Sequence, residues 1–283
     1  MHRALSSMAP QTLREWLASG PFALCLCSSF FGFYAHAGAL QALIEAGLPP
    51  ARVTGSSSGS VIAALYAGGL DARTTLPALL FKLRSGDILT PFWRSPSCWV
   101  HGGFFRINQE FLARNAPVAC LQDSPTCPVA ISTYNTVTNR TEVHTSGPTS
   151  AVVAASCAIP AAFQKVQLNG VAHVDGGVGD LLALASCSPR ERVLSIDLHT
   201  AGLEGARQSL GARAEAQRRA AGQPVLEQCV RLQIHGGPFI QPLSMRAKGP
   251  LGFAAGKGAM AAALAAQGDW GGERIHKVMV PPA

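Results

Sequence analysis

Gly55-Ser56-Ser57-Ser58-Gly59, followed directly by Ser60 and the run Val61-Ile62-Ala63-Ala64-Leu65-Tyr66, is the stretch that decides the fold. A short apolar segment precedes it and a helix-like segment follows. A serine centred between two glycines at a strand-to-helix junction has the layout of a nucleophile elbow. Such a turn is so tight that its flanking positions must be glycine or small. It lifts the central hydroxyl, here that of Ser57, above the sheet edge. The N-terminus of the following helix then favours negative charge developing nearby.

Working outward, Phe22-Ala23-Leu24-Cys25-Leu26-Cys27 is a continuous apolar run, as expected of a strand buried on both faces. A loop over residues 28–31 leads to a predicted helix from His36 to Ala46, stopped by Gly47 and the Pro49-Pro50 pair. Ala51 to Thr54 reads as the strand that feeds the elbow, and Thr75 to Gly86 as a helix with Pro77 in its first turn. Residues 87–106 crowd Phe92, Trp93, Trp99, Phe104 and Phe105 among prolines and glycines. That composition suits core packing or, equally, a lid or the wall of an acyl-chain pocket.

Further along, Val129 to Tyr134 reads as a strand and Thr136 to Thr145 as a hairpin arm. Thr149 to Ala158 reads as a helix, and Gln164 to Val174 as a hairpin turning at Asn169-Gly170. Val193 to Leu198 and Val230 to Ile234 are predicted strands separated by an arginine-rich helix. An Ala-rich helix is expected over Gly252 to Gln267. This alternation predicts one three-layer α/β domain with a largely parallel central sheet flanked by helices. Residues 1–21 read as an N-terminal extension, 22–184 as the core, and 185–283 as its continuation.

Composition narrows the function classes. Of 283 residues, 48% are hydrophobic and 14% charged, which supports a large core and excludes a disordered chain. The net charge is +7. Its densest stretch, Arg207, Arg213, Arg218 and Arg219, reads as a solvated helix face, with attraction to an anionic membrane surface as the functional alternative. No basic-aromatic motif or zinc spacing points to nucleic acid. The eight cysteines, 25, 27, 98, 120, 127, 157, 187 and 229, form no C-x-x-C pair and read as buried thiols of a reducing, cytoplasmic compartment. Phe22 to Leu40 is broken by Ser28, Ser29, Gly32 and His36, so it does not read as a membrane span. Gly252 to Lys257 lacks Walker spacing, and the histidines and cysteines show no metal-ligand spacing, so neither metal nor cofactor is expected.

A serine needs a base. Asp175, in His173-Val174-Asp175-Gly176-Gly177, ends a hairpin strand just before two glycines, which would hold an acid at a sheet edge. The same residues also fit a plain Asp-Gly turn. Taken together, the pieces resemble the patatin-like phospholipase family, which pairs G-x-S-x-G with a later D-G-G or D-G-A. Gly32 to Leu48 is similar to the family's first helix, and Ala155 to Phe163 to its segment before the aspartate. The resemblance covers about Phe22 to Leu184. It implies a lipid acyl hydrolase in which Ser57 and Asp175 act as a dyad on fatty-acyl esters, with no cofactor, and the peripheral membrane-surface contact that the net charge allows would suit such a substrate. The motif glycines are then Gly32, Gly55, Gly59, Gly176 and Gly177.

One segment departs from the family. Its glycine-rich oxyanion loop is replaced by Cys27-Ser28-Ser29-Phe30-Phe31-Gly32, in which only Gly32 is kept and Phe31 stands in the place of an arginine. The backbone N–H groups of Ser28, Ser29 and Phe30 are the expected oxyanion donors. The same departure supports a second reading, a catalytically silent lipid-binding or scaffold protein on this fold. A third is a Ser-Asp-His triad, since Asp175 followed by His199 or His235 matches the chain order of α/β-hydrolases.

Overall fold

The computed structural model describes residues 11–91, 104–200, 204–220, 222, 225–270 and 272–280. Strand β1 (Ala23–Leu26) is the apolar run, buried throughout. Helix α1 (Phe33–Glu45) begins three residues earlier than the sequence suggests, because Gly32 at its N-cap already has helical backbone angles. Strand β2 (Arg52–Ser56) runs into the elbow and helix α2 (Ser58–Ala67) leaves it. The predicted helix over 75–86 is divided: α3 (Thr75–Lys82) is followed by a separate turn, Ser85–Ile88. Leu83 and Arg84 between them are extended.

Strand β3 (Val129–Asn135) is wholly buried and forms a hairpin with β4 (Arg140–His144) across a turn in which Asn139 adopts φ 54°. Helix α4 (Thr149–Ser156) is followed by the hairpin of β5 (Val166–Leu168) and β6 (Val171–Asp175), whose turn is Asn169-Gly170 as the sequence indicates. Strand β7 (Arg192–Thr200), helix α5 (Glu204–Ala220), strand β8 (Gln228–Gly237), helix α6 (Met245–Ala265) and strand β9 (Gly272–Met279) complete the chain.

These strands form one nine-stranded sheet in the order β9-β8-β7-β1-β2-β3-β6-β5, with β4 also on β3. Strands β1, β2, β3, β7, β8 and β9 are mutually parallel, and β4, β5 and β6 supply the antiparallel hairpins. One edge of β3 pairs with β4 through residues 131–135. The other edge is divided: β2 takes residues 129–132 in parallel and β6 takes 133–135 antiparallel. The C-terminal ends of β2 and β6 therefore abut.

Side chains alternate across the sheet. Leu24, Leu26, Leu194, Ile196, Val230 and Leu232 face the main core under α1, α2 and α6. Ala23, Cys25, Val193 and Cys229 face the smaller core on the other side, closed by Ala183, Leu184, Cys187 and Leu226. Helix α5 contacts β7 and the turn after Asp175. Several segments were not read as elements, the helix Gln109–Asn115 and the paired strands Leu89–Pro91 and Phe105–Ile107 among them. Part of the stretch read as an extension is a helix, Leu13–Ala18, whose Leu13, Trp16 and Leu17 enter the main core. Strand β9 extends the parallel sheet past β8. Helix α6 also starts earlier than predicted, at Met245, and carries Pro250 inside its N-terminal part.

Candidate active site

The elbow is built by close approach. A Cβ on Gly59 would lie 2.0 Å from the Leu26 carbonyl oxygen, and one on Gly55 2.5 Å from the Ser60 Cα. Neither position has room for a side chain, so β2 can turn directly into α2 packed over β1. The cost of the turn appears at Ser57, which holds φ 51° and ψ −122°, a strained conformation for a residue with a Cβ. Surrounding bonds hold it there. The Ser57 N–H donates to Ser156 Oγ at 2.9 Å, and Ser156 Oγ donates to the Ser132 carbonyl at 2.7 Å. Ser60 donates to the Ser57 carbonyl through both its N–H (2.9 Å) and its hydroxyl (2.6 Å).

Asp175 reaches the same place from β6. It is 4% exposed and Ser57 3% exposed. Gly177 N–H donates to Asp175 Oδ1 at 2.8 Å, which is the service of the second motif glycine. Gly176 lies against the Ser132 carbonyl. The hydroxyls of Ser57 and Ser28 face the carboxylate and draw its pKa down, although Oδ2 meets no donor in strict hydrogen-bond geometry. Burial outweighs these bonds and pushes the Asp175 pKa up to about 6. The structure thus brings Ser57 and Asp175 together from opposite ends of the 57–175 segment.

The oxyanion candidates fare differently. Ser28 N–H donates to the Leu181 carbonyl at 2.8 Å, and Ser29 N–H to Ser58 Oγ at 3.1 Å. Both donors are therefore engaged within the protein. Phe30 adopts φ 48°, a left-handed conformation that favours glycine, and among the described residues its N–H has no acceptor. Gly32 lies under Ser29 and Leu198. Behind the loop, Ser29 Oγ stands 2.9 Å from Ser58 Oγ and 3.3 Å from His36 Nε2, which also contacts the Cys27 carbonyl at 2.9 Å. Burial lowers the His36 pKa to about 4, so this ring is neutral. Sequence reasoning did not single out Ser156, Ser58 or His36. The serines beside Ser57 carried the only signal, as polar residues in a segment destined for burial.

Asp180 was also missed. It lies five residues past Asp175 and is 2% exposed. Ser132 Oγ donates to its Oδ2 at 2.6 Å, and the N–H groups of Leu184 and Ala185 donate to its two oxygens. It folds the turn that returns the chain beneath the site.

His199 and His235, the candidate third members of a triad, occupy a separate polar cavity lined also by Asp180, Arg207 and Arg218. Their rings stack at 4.2 Å, and His199 Nε2 bonds Asp197 Oδ2 at 3.1 Å. Burial would raise Asp197, but the His199 bond and the Arg207 charge hold it far below the usual carboxylate range. Arg207 pairs with Asp197 and also donates to the Ser28 carbonyl at 2.9 Å, bracing the loop from behind.

Ser57 and Ser58 open onto a cavity of about 360 Å³. Its walls are almost entirely apolar, including Phe31, Val61, Leu79, Phe105, Leu112 and Phe163. Phe105 thus joins a pocket wall, while Phe104 is 64% exposed, and Phe92, Trp93 and Trp99 lie outside the described residues. The described cysteines are all free, and Cys98 lies outside the described residues. Among the described residues no helix is long and apolar enough to cross a membrane. The sheet also gathers Glu142, His144 and His173 into one cluster, a constellation that sequence spacing did not reveal.

Comparison with known proteins agrees with this architecture. Residues 24–185 match the family model for patatin-like phospholipase. An uncharacterized NTE family protein of Mycobacterium tuberculosis is 29% identical over 201 residues, 69% of this chain and 54% of its own length. A patatin-like phospholipase domain-containing protein of Aspergillus niger is 29% identical over 141 residues, 42% of this chain and 19% of its own. The chain thus spans about half, or less, of these relatives' lengths. Among solved structures, VipD from Legionella pneumophila superposes with a TM-score of 0.54 at 13% identity, covering 86% of this chain and 66% of VipD, which speaks to the fold alone. The elbow, the D-G-G turn and a family match over more than half the sequence converge: this chain belongs to the patatin-like phospholipase family.

Proposed function

We propose that the protein is a serine acyl hydrolase that cleaves fatty-acyl esters of lipids with Ser57 as nucleophile and Asp175 as base. The observation that carries this reading is the meeting of a buried aspartate with a strained, buried serine that lines an apolar cavity. Family membership supports lipid acyl hydrolysis at the coarser level.

In the proposed reaction the acyl chain lies in the cavity and its carbonyl carbon faces Ser57 Oγ. Asp175 accepts the hydroxyl proton as Oγ attacks, and it then returns that proton to the departing alcohol. A water activated by the same carboxylate releases the acyl group. The oxyanion forms beside the first turn of α2, where the Ser58 N–H precedes the intrahelical ladder. Ser58 N–H and Phe30 N–H are the donors this geometry favours, and Ser28 and Ser29 serve only if their present bonds open. Peripheral contact with a membrane surface would deliver the substrate.

A fluorophosphonate probe tests the proposal. Labelling of wild type at Ser57, with loss in Ser57→Ala and hydrolysis of a chromogenic fatty ester, supports it. Measurable lipid binding without labelling favours the silent lipid-binding reading, which the occupied Ser28 and Ser29 N–H groups support. The bond from His199 to Asp197 weighs against a triad with Asp175, and full activity in His199→Ala and His235→Ala would exclude it.

A further inference from the structure

Strands β4 and β6 lie on opposite edges of the C-terminal half of β3 and bring three potential metal ligands to one face. Glu142 and His144 are two residues apart on β4, so they share a face. His173 stands on β6, two residues before Asp175. One donor atom from each of the three lies within 4.8 Å of the others.

The hydrogen bonds at His173 fix which ring nitrogen faces the cluster. Its Nδ1 lies 2.9 Å from the Val171 carbonyl, which can only accept, so Nδ1 carries the hydrogen. Nε2 then faces Glu142 Oε2 at 2.8 Å. Both atoms belong to groups that serve as metal ligands. A third, His144, stands beside them, its ring edge-to-face with that of His173 at 5.8 Å. Each residue also has the outer partner that metal sites use to orient their ligands. Val171 holds His173, Asn135 Nδ2 donates to Glu142 Oε1 at 2.5 Å, and the Thr133 hydroxyl lies 2.8 Å from His144 Nε2. The His173 side chain is 2% exposed and that of Glu142 40%, so the site is anchored inside and reachable from outside.

We propose that Glu142, His144 and His173 form a binding site for a divalent transition metal, with zinc the best match to two imidazoles and one carboxylate. Bound metal would tie β4 to β6 through residues on both. The site is distinct from Ser57, and the proposal stands whether or not the lipid-hydrolase reading does.

Titration of tag-free, chelator-treated protein with Zn²⁺ by calorimetry tests this, together with the visible absorption of the Co²⁺-loaded protein. One metal per chain and a Co²⁺ ligand-field band are expected. Removing one ligand, in His144→Ala or Glu142→Gln, should weaken binding by at least about tenfold and abolish the band. Both positions are partly exposed, so circular dichroism can verify that the variants stay folded. Wild type that binds no metal, or binds it no tighter than either variant, overturns the proposal. A variant that loses its fold is replaced by Thr133→Val, which keeps all three ligands and should still weaken binding.

Discussion

Ser56 and Asp175 occupy consecutive places along one edge of β3, opposite Ser132 and Thr133. A parallel strand arriving from one direction and an antiparallel strand from the other stop against each other there. Neither hydroxyl nor carboxylate depends on a flexible loop for its position. The backbone ladder of β3 sets the spacing between Ser57 and Asp175.

If that spacing serves catalysis, Ser57→Ala and Asp175→Asn should each lower ester hydrolysis by at least about a thousandfold while leaving the fold intact. Asp175→Asn should also stabilise the protein near neutral pH, because it removes a buried ionised group. Steady-state kinetics and urea unfolding of the same preparations check both halves.

The pH dependence has a defined sign. The folded-state pKa of Asp175 is raised to about 6, so the base is lost as pH falls below that value and kcat/KM should drop about tenfold per pH unit there. The same raised pKa makes the folded state bind the extra proton between the ordinary carboxylate value and about 6. Asp175 therefore costs stability above that window, and the cost, about 3 kcal/mol, disappears as pH falls through it. The stability of wild type relative to Asp175→Asn should rise accordingly on acidification.

His36 works in the opposite direction. Its folded-state pKa, lowered to about 4, means the unfolded chain takes the proton first. Stability is full above the ordinary histidine value and is lost as pH falls toward about 4, again by about 3 kcal/mol. His36→Gln should remove that acid sensitivity. Unfolding free energies of wild type and variant at matched pH values provide the measurement.

Ser156 is a sharper structural test. Its hydroxyl accepts from Ser57 N–H and donates to the Ser132 carbonyl, both buried. Ser156→Ala should destabilise by about 2 kcal/mol, because two backbone groups lose their partner. Activity should fall as well, since the strained Ser57 conformation loses one of its holds. Ser156→Thr, if accommodated, should recover part of both.

The cavity wall gives a prediction about chain length. Val61 lines the cavity one turn along α2 from Ser57. Val61→Trp would fill that space, so hydrolysis of long-chain esters should fall by more than about tenfold relative to butyrate esters. A panel of p-nitrophenyl esters of graded length reads the ratio.

Much of this was legible because tight packing leaves narrow residue choices. The glycines around Ser57 and after Asp175 mark places where backbones touch, and the unbroken apolar run at Ala23–Leu26 marks a strand covered on both faces. Strand β9 was not legible because Glu273 and Lys277 interrupt its apolar residues and Ile275 and Met279 are exposed. Leu13–Ala18 is too short for its periodicity to speak. The engagement of the Ser28 N–H depends on Leu181, placed by the return of the chain after Asp180, and that of the Ser29 N–H on Ser58 at the start of α2. Glu142 and His173 are neighbours only because β3 holds their strands on its two edges.

The divided edge of β3 has a consequence for how such chains can vary. The pitch of a strand, roughly 3.3 Å per residue, works as a ruler between Ser57 and Asp175, the proposed nucleophile and base. Insertions between residues 67 and 129, or after residue 185, change what surrounds the ruler without moving its marks. A family whose members differ widely in length can therefore keep one reaction geometry while rebuilding nearly everything that chooses the substrate.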